Sequence, residues 1–196
     1  GHGLAALGDV DGNGVPDLAV GTDRDAVYVL FMNPNGTVQA AQRIASNVGG
    51  MGSFPSGDRF GINLAGLGDV DGDGVPDLAV GADHADVGGT DRGAVYVLLL
   101  QSNGTVKSST RIANGTAGIT LANSDHFGRG VGAAGDVDSD GVPDLAVGAP
   151  FSDAGGADRG AVFVLLLNRD GSARVARRIE NPAMQITGFG DSGTNW

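Results

Sequence analysis

Cysteine is absent from the 196 residues, so no disulfide framework, thiolate metal site or cysteine nucleophile is available. That absence leaves the redox compartment open. Aromatic residues are scarce, at 5% of the chain, and basic residues number 12 against 23 acids, for a formal net charge of −11. Nucleic-acid binders carry a basic patch, so this balance argues against such a partner and in favour of cations. No apolar run approaches the roughly 18 residues of a membrane-spanning helix, and no span is expected. Helical periodicity is missing too, since no segment keeps a 3.6-residue apolar repeat for three turns. The opening Gly1-His2-Gly3 has no signal-peptide pattern and fits a mature, processed or excised segment.

Glycine, by contrast, is abundant: 36 residues spread through apolar stretches suit many short strands joined by tight turns. The stretch Gly-Asp-Val-Asp-Gly-Asn-Gly-Val-Pro-Asp-Leu-Ala-Val-Gly begins at Gly8, with near-copies from Gly68 and Gly135, at spacings of 60 and 67. Asp17 and Val27 are 10 positions apart, whereas Asp77 to Val95 and Asp144 to Val162 each span 18. A surface loop tolerates such shortening and a strand does not.

Each repeat reads as four strands. In the second, the first strand follows Phe60-Gly61 and runs to Leu67, and Leu78 to Gly81 is the second. Ala94 to Leu100 is a near-continuous apolar run, as expected of a strand covered on both faces. Asn103-Gly104 then predicts a two-residue hairpin turn before a polar outer strand, Thr105 to Ile112. Asn35-Gly36 and Asp170-Gly171 mark the same turn in the other repeats. Tandem four-stranded antiparallel sheets with polar outer strands are propeller blades, so the fold class is all-β, with three β-propeller blades.

The strongest chemical signal is an acidic loop in each repeat. Asp9, Asp11, Asn13 and Asp17 fall at positions 1, 3, 5 and 9, followed by Asp69, Asp71, Asp73 and Asp77, then Asp136, Asp138, Asp140 and Asp144. Ca²⁺ takes 6–8 hard oxygens from a flexible loop. A glycine at position 6 permits the turn, and Val15, Val75 and Val142 at position 7 offer carbonyls. An EF-hand would end in a bidentate Glu at position 12 between two helices. Val20, Val80 and Val147 stand there, so that reading fails. Eleven Asp side chains sit in the three loops and would repel one another unfilled. About three Ca²⁺ per chain are expected.

Phe60-Gly61, Phe127-Gly128 and Phe189-Gly190, with Gly148-Ala149-Pro150 decaying to Gly81-Ala82-Asp83 and Gly21-Thr22-Asp23, complete the pattern. Together with the loops they resemble the FG-GAP repeat family of integrin α-subunit heads and bacterial surface proteins. The resemblance implies Ca²⁺ loops between first and second strands on one propeller face. Ligands are then met on the opposite face, by the second-to-third and fourth-to-first loops. It divides the chain into blades at 1–59, 60–126 and 127–188, with a further repeat starting at 189–196. The family's rings typically have seven blades, so a segment of a larger array is expected.

The expected function is a calcium-binding extracellular or cell-surface module, mediating adhesion or binding a protein or glycan, and not an enzyme by itself. The alternatives are a structural repeat unit that assembles through open blade faces, with other blades or further copies as partners, and an accessory domain of a larger secreted enzyme. Asn35-Gly-Thr, Asn103-Gly-Thr and Asn114-Gly-Thr are glycosylation sequons, the first two coinciding with hairpin turns that want Asn-Gly for backbone reasons. Asp23-Arg24, Asp91-Arg92 and Asp158-Arg159 recur and read as loop braces. His84 and Phe151 hold equivalent places in the long loop and are candidates for ligand recognition, whereas His2 and His126 read as incidental. No Ser–His–Asp arrangement accompanies a nucleophile turn.

Overall fold

The computed structural model describes residues 2–153 and 157–180. The Phe189-Gly190 pair and the repeat start at 189–196 lie outside them. Twelve strands form three four-stranded antiparallel sheets, each in sequence order. The first sheet holds β1 (Leu4–Gly8), β2 (Asp17–Gly21), β3 (Ala26–Met32) and β4 (Val38–Ala45). The second holds β5 (Leu64–Gly68), β6 (Asp77–Ala82), β7 (Ala94–Leu100) and β8 (Val106–Ala113). The third holds β9 (Gly130–Gly135), β10 (Asp144–Ala149), β11 (Ala161–Leu167) and β12 (Ala173–Ile179). A 3₁₀ turn at Thr116–Gly118 follows β8.

Burial shows how the sheets stack. Every residue of β6 and β7 is buried, so the central sheet is covered on both faces. In β2, β3 and β11 buried and half-buried residues alternate, which is the pattern of a sheet covered on one face. Two cores fill the gaps. Val27, Val29 and Phe31 meet Leu78, Leu98 and Leu100 in one. Val95, Val97 and Leu99 meet Leu145, Phe163 and Leu165 in the other.

The Phe-Gly pair precedes the first strand, as expected, and forms a buried plug. Phe60 and Phe127 are completely buried, and the next strands begin four and three residues later. Gly61 has φ 97° and Gly128 φ 94°, left-handed conformations that no ordinary strand residue adopts. The Gly61 N–H donates to the Gly81 carbonyl at 2.9 Å and the Gly128 N–H to that of Gly148 at 3.0 Å, tying the plug to its own sheet. Phe60 stacks on Phe54 with centroids 4.6 Å apart, and Phe127 meets Phe163 edge-on at 5.2 Å.

The hairpin turn also differs from its expectation. Gly104 N donates to the Gln101 carbonyl and Gln101 N to that of Thr105, both at 2.8 Å, which makes a three-residue loop with Gly104 at φ 74°. Such a loop needs glycine at its left-handed last position, a requirement that Asn-Gly meets as readily as it meets the shorter turn. The Asn103 side-chain oxygen accepts from Thr105 N at 3.0 Å and Thr105 Oγ1 at 2.6 Å. Asp170 accepts from Ser172 N and Oγ in the same way, at 2.9 and 2.6 Å, without forming a sequon. At Asn35 and Asn103 the Asn-Gly-Thr pattern thus serves the hairpin turn. The β2–β3 connection is the shortened loop, at 22–25 against 83–93 and 150–160.

Candidate functional site

The acidic loops join the first and second strands of each sheet, and their position-1 carboxylates organise them. Asp9 Oδ1 accepts from the N–H groups of Gly12 at 2.8 Å and Asn13 at 3.0 Å, and Oδ2 from Gly14 at 2.7 Å. Asp69 repeats this with Gly72, Asp73 and Gly74 at 2.7, 3.1 and 2.8 Å. Asp136 holds Asp140 and Gly141 at 3.0 and 2.9 Å. Curling amides around one carboxylate brings the neighbouring side chains inward.

Position 9 closes each loop against the sheet. Asp17, Asp77 and Asp144 are fully buried. Asp77 Oδ2 accepts from Val70 N at 2.8 Å, and Oδ1 from Leu100 N at the end of β7 at 2.9 Å. Asp17 makes the corresponding bonds to Val10 and Met32, and Asp144 to Val137 and Leu167. This residue is a structural clasp as well as a candidate ligand, a role the loop spacing alone does not reveal. Burial pushes the Asp77 carboxyl up to about 6, against the pull of its two backbone hydrogen bonds. A carboxylate in that state is short of nearby positive charge.

In every loop the carboxylates of positions 1, 3 and 9 converge. Oxygens of Asp9, Asp11 and Asp17 lie within 4.8 Å of one another, as do those of Asp69, Asp71 and Asp77 and of Asp136, Asp138 and Asp144. Position 5 behaves differently. Asn13 turns its amide to Asp11 at 3.0 Å. Asp73 pairs with Lys107 of β8, which also contacts Asp71, and Arg174 of β12 bridges Asp138 at 2.6 Å and Asp140 at 2.8 Å. Val15, Val75 and Val142 at position 7 donate their N–H groups to the position-5 side chains at 2.7, 2.9 and 2.9 Å.

The outer-strand cations follow the charge of position 5. Lys107 and Arg174 each come one residue after the last paired position of their hairpin, where β4 has Gln39. Blade 1 thus combines Asn13 with Gln39, and the other two combine an Asp with a cation. Hydrogen bonding to Lys107 holds the Asp73 carboxyl below its usual range, and hydrogen bonding to Asp71 and Asp73 raises Lys107. That pairing spans 34 residues of sequence.

The profile of the FG-GAP repeat matches residues 60–98 and 127–165, two stretches that run from the buried Phe-Gly plug through the acidic loop into the third strand. The chain belongs to the FG-GAP repeat family. Its sheets are β-propeller blades. It is 34% identical over 153 residues to integrin alpha-3 of Cricetulus griseus, an alignment covering 74% of this chain and 13% of the integrin. To phosphatidylinositol-glycan-specific phospholipase D of Bos taurus it is 32% identical over 200 residues, covering 93% of this chain and 22% of that protein. Integrin alpha-PS2 of Drosophila melanogaster is 34% identical over 162 residues, covering 76% and 11%. The FG-GAP chain thus spans between about a tenth and a quarter of the length of these relatives.

The loops between the second and third strands of each sheet lie at the opposite end of the strands from the acidic loops, as antiparallel connectivity requires. His84 and Phe151 both face His126, with ring centroids 4.8 and 5.2 Å away. Their convergence makes His126 a central residue there rather than an incidental one. The recurring Asp-Arg pair braces its loop in blades 2 and 3. Asp91 N donates to Asp86 at 2.8 Å, Asp158 N to Asp153 at 2.9 Å, and Arg92 Nε to Asn123 at 3.0 Å. No helix of the described residues is long and apolar enough to cross a membrane.

Proposed function

We propose that this chain is a calcium-binding propeller module of the extracellular or cell-surface kind, taking about three Ca²⁺ per chain, one in each acidic loop. The observation that carries this reading is the convergence of three carboxylates in every loop, one of them buried. The ligand set would comprise the Asp residues of positions 1, 3 and 9, the Asp or Asn of position 5, and the carbonyls of Val15, Val75 and Val142. Ca²⁺ at 2.3–2.6 Å from such oxygens would supply the positive charge that buried Asp77 lacks. Extracellular modules bind Ca²⁺ with dissociation constants of about 10⁻⁴–10⁻³ M, which matches an open, exposed loop outside cells.

Adhesion, through a protein or glycan held on the face opposite the metal loops, is the role that the integrin relatives support. A second reading is favoured by the bovine phospholipase D alignment, which covers 93% of this chain. In that case the blades are an accessory domain of a larger secreted enzyme, with the catalytic groups elsewhere. Blades 1–59, 60–126 and 127–188 would then be part of a longer array.

Calorimetry in chelated buffer tests the metal reading. About three Ca²⁺ per chain are expected, with Asp71→Ala and Asp138→Ala each removing one and Asp91→Ala removing none. Absence of binding at millimolar Ca²⁺ would defeat it.

A further inference from the structure

Among the described residues, Asp83 is a fully buried carboxylate that receives no hydrogen bond on either side-chain oxygen. It stands at the start of the β6–β7 loop. The nearest cationic groups are Nη1 of Arg129 at 3.6 Å and Nη1 of Arg59 at 3.7 Å, beyond hydrogen-bonding distance. Leaving a buried carboxylate unpartnered is costly, so a charge that reaches it more closely belongs to the working state. His84 and His126 stand beside it. One ligand atom from each of Asp83, His84 and His126 lies within 4.8 Å of the other two.

The surroundings of His84 resemble those of a metal-bound histidine. Metal-ligating histidines present their second nitrogen to a carboxylate or a backbone carbonyl, which fixes the ring. His84 Nδ1 lies 3.3 Å from Asp91 Oδ1 in this way, while His126 Nδ1 lies 3.1 Å from the Asp83 carbonyl oxygen and 4.0 Å from Asp83 Oδ2, so it faces the carboxylate directly. Phe151 forms an apolar wall, its ring 5.2 Å from that of His126 and 5.5 Å from the Arg129 guanidinium. His126 also lines a recess of about 310 Å³ with Phe151 and Asn123.

We propose that Asp83, His84 and His126 form a binding site for a borderline divalent transition ion, with Zn²⁺ the best fit. Two imidazoles and one carboxylate suit Zn²⁺, whereas Ca²⁺ takes oxygen ligands throughout. The site is chemically distinct from the acidic loops and lies on the opposite end of the blades. It is also not a repeat feature. The third repeat has Pro150 and Phe151 where the second has Asp83 and His84. Arg59 and Arg129, whose side chains are about half exposed, balance Asp83 without the ion and are free to turn to solvent when it binds.

The test uses the full chain in excess Ca²⁺, so that the acidic loops are occupied while Zn²⁺ is titrated by calorimetry. One Zn²⁺ per chain is expected, weakened at least tenfold in His84→Ala and in His126→Ala. His2→Ala should leave it unchanged. Should His126→Ala fail to fold, His84→Ala and the imidazole ¹⁵N shifts of the unaltered chain on adding Zn²⁺ decide. Shifts confined to two of the three histidines, lost in His84→Ala, support the site. Zn²⁺ uptake that survives both substitutions or that depends on His2, or a lack of uptake in excess Ca²⁺, overturns it.

Discussion

A Cβ placed on Gly81 would stand 2.0 Å from the carbonyl oxygen of Gly128, the glycine of the next blade's Phe-Gly pair. Gly21 has the same relation to Gly61, at 1.9 Å. Backbone meets backbone at each blade junction, and no side chain fits between. Gly148 occupies the same motif position in blade 3, but its nearest contact, within its own sheet, is an ordinary 3.8 Å.

These contacts predict a contrast between identical substitutions. Gly81→Ala should destabilise by about 2–3 kcal/mol, because the obstruction is backbone and cannot rotate away. Gly148→Ala should stay within about 0.5 kcal/mol of the unaltered chain. Chemical denaturation of the three proteins measures the difference, and equal losses would argue against the junction as described.

Position 4 of the acidic loop separates the third repeat from the others. Gly12 has φ 77° and Gly72 φ 83°, but Ser139 holds φ 62° with a side chain. A left-handed conformation costs an L-residue about 1–2 kcal/mol, part of which a glycine returns as unfolded-state entropy. Ser139→Gly should therefore stabilise the chain by about 0.5–1 kcal/mol. Thermal melts should rise by the corresponding amount, and an unchanged or lower midpoint would show that the loop accommodates serine without strain.

How much of this was legible depends on how local the causes are. The run Ala94 to Leu100 matches β7 residue for residue, because cover on both faces imposes an unbroken apolar stretch. The acidic loops were equally plain, since their residues lie within nine positions. Phe60-Gly61 is legible as the marker just before a strand, whereas its role as a plug rests on the positive φ of Gly61 and the contact with Gly81, neither of which composition shows. Lys107 carried no signal at all. Its pairing with Asp73 depends on hairpin register across 34 residues. The Asp83 and His126 contact spans 43 residues and a blade junction, so nothing in the chain order announces it.

Lys107 contacts the oxygens of Asp71 and Asp73 that a bound cation would use. Lys107→Gln, copying Gln39 of blade 1, should lower the melting temperature in chelator and tighten Ca²⁺ binding in that loop. Removing one unit charge at about 4 Å in a water-like medium is worth roughly fivefold in affinity. Calorimetry at low salt reads the change most clearly. Weaker Ca²⁺ binding in the variant would mean that Lys107 positions the loop rather than competing for it.

Asp58 provides a pH dependence independent of the metal loops. Burial, with the charges of Asp25 and Asp86, pushes its carboxyl up to about 6. The folded chain then binds a proton that the unfolded chain, with its value near 3.8, releases. For this group stability should rise as pH falls from 7 through 6 towards 4. Asp58→Asn should stabilise the protein at pH 7 by about 1 kcal/mol, after allowing for partial solvent access, and flatten the profile between about pH 4 and 6. Melts in Ca²⁺-saturated buffer across that range decide the matter. A variant less stable at pH 7 would show that the ionised carboxylate is needed.

The two end blades carry the remaining consequence. Leu18, Val20, Tyr28 and Leu30 of blade 1 are only half-buried. On blade 3 a groove of about 450 Å³ runs past Gly148, Pro150, Ala161 and Val162, at the level where the Phe-Gly plugs of blades 2 and 3 meet the preceding sheet. Among the described residues no fourth sheet covers it. Apolar faces of this kind mark contact surfaces or aggregation liabilities, and repeat arrays need capped ends to remain soluble. The isolated chain should therefore associate with itself as concentration rises, and Val162→Lys, which places a charge in the groove, should shift it towards monomer. Light scattering with a dye for exposed apolar surface measures both. A stable monomer that binds no dye at high concentration would mean that the end faces are already satisfied within the chain.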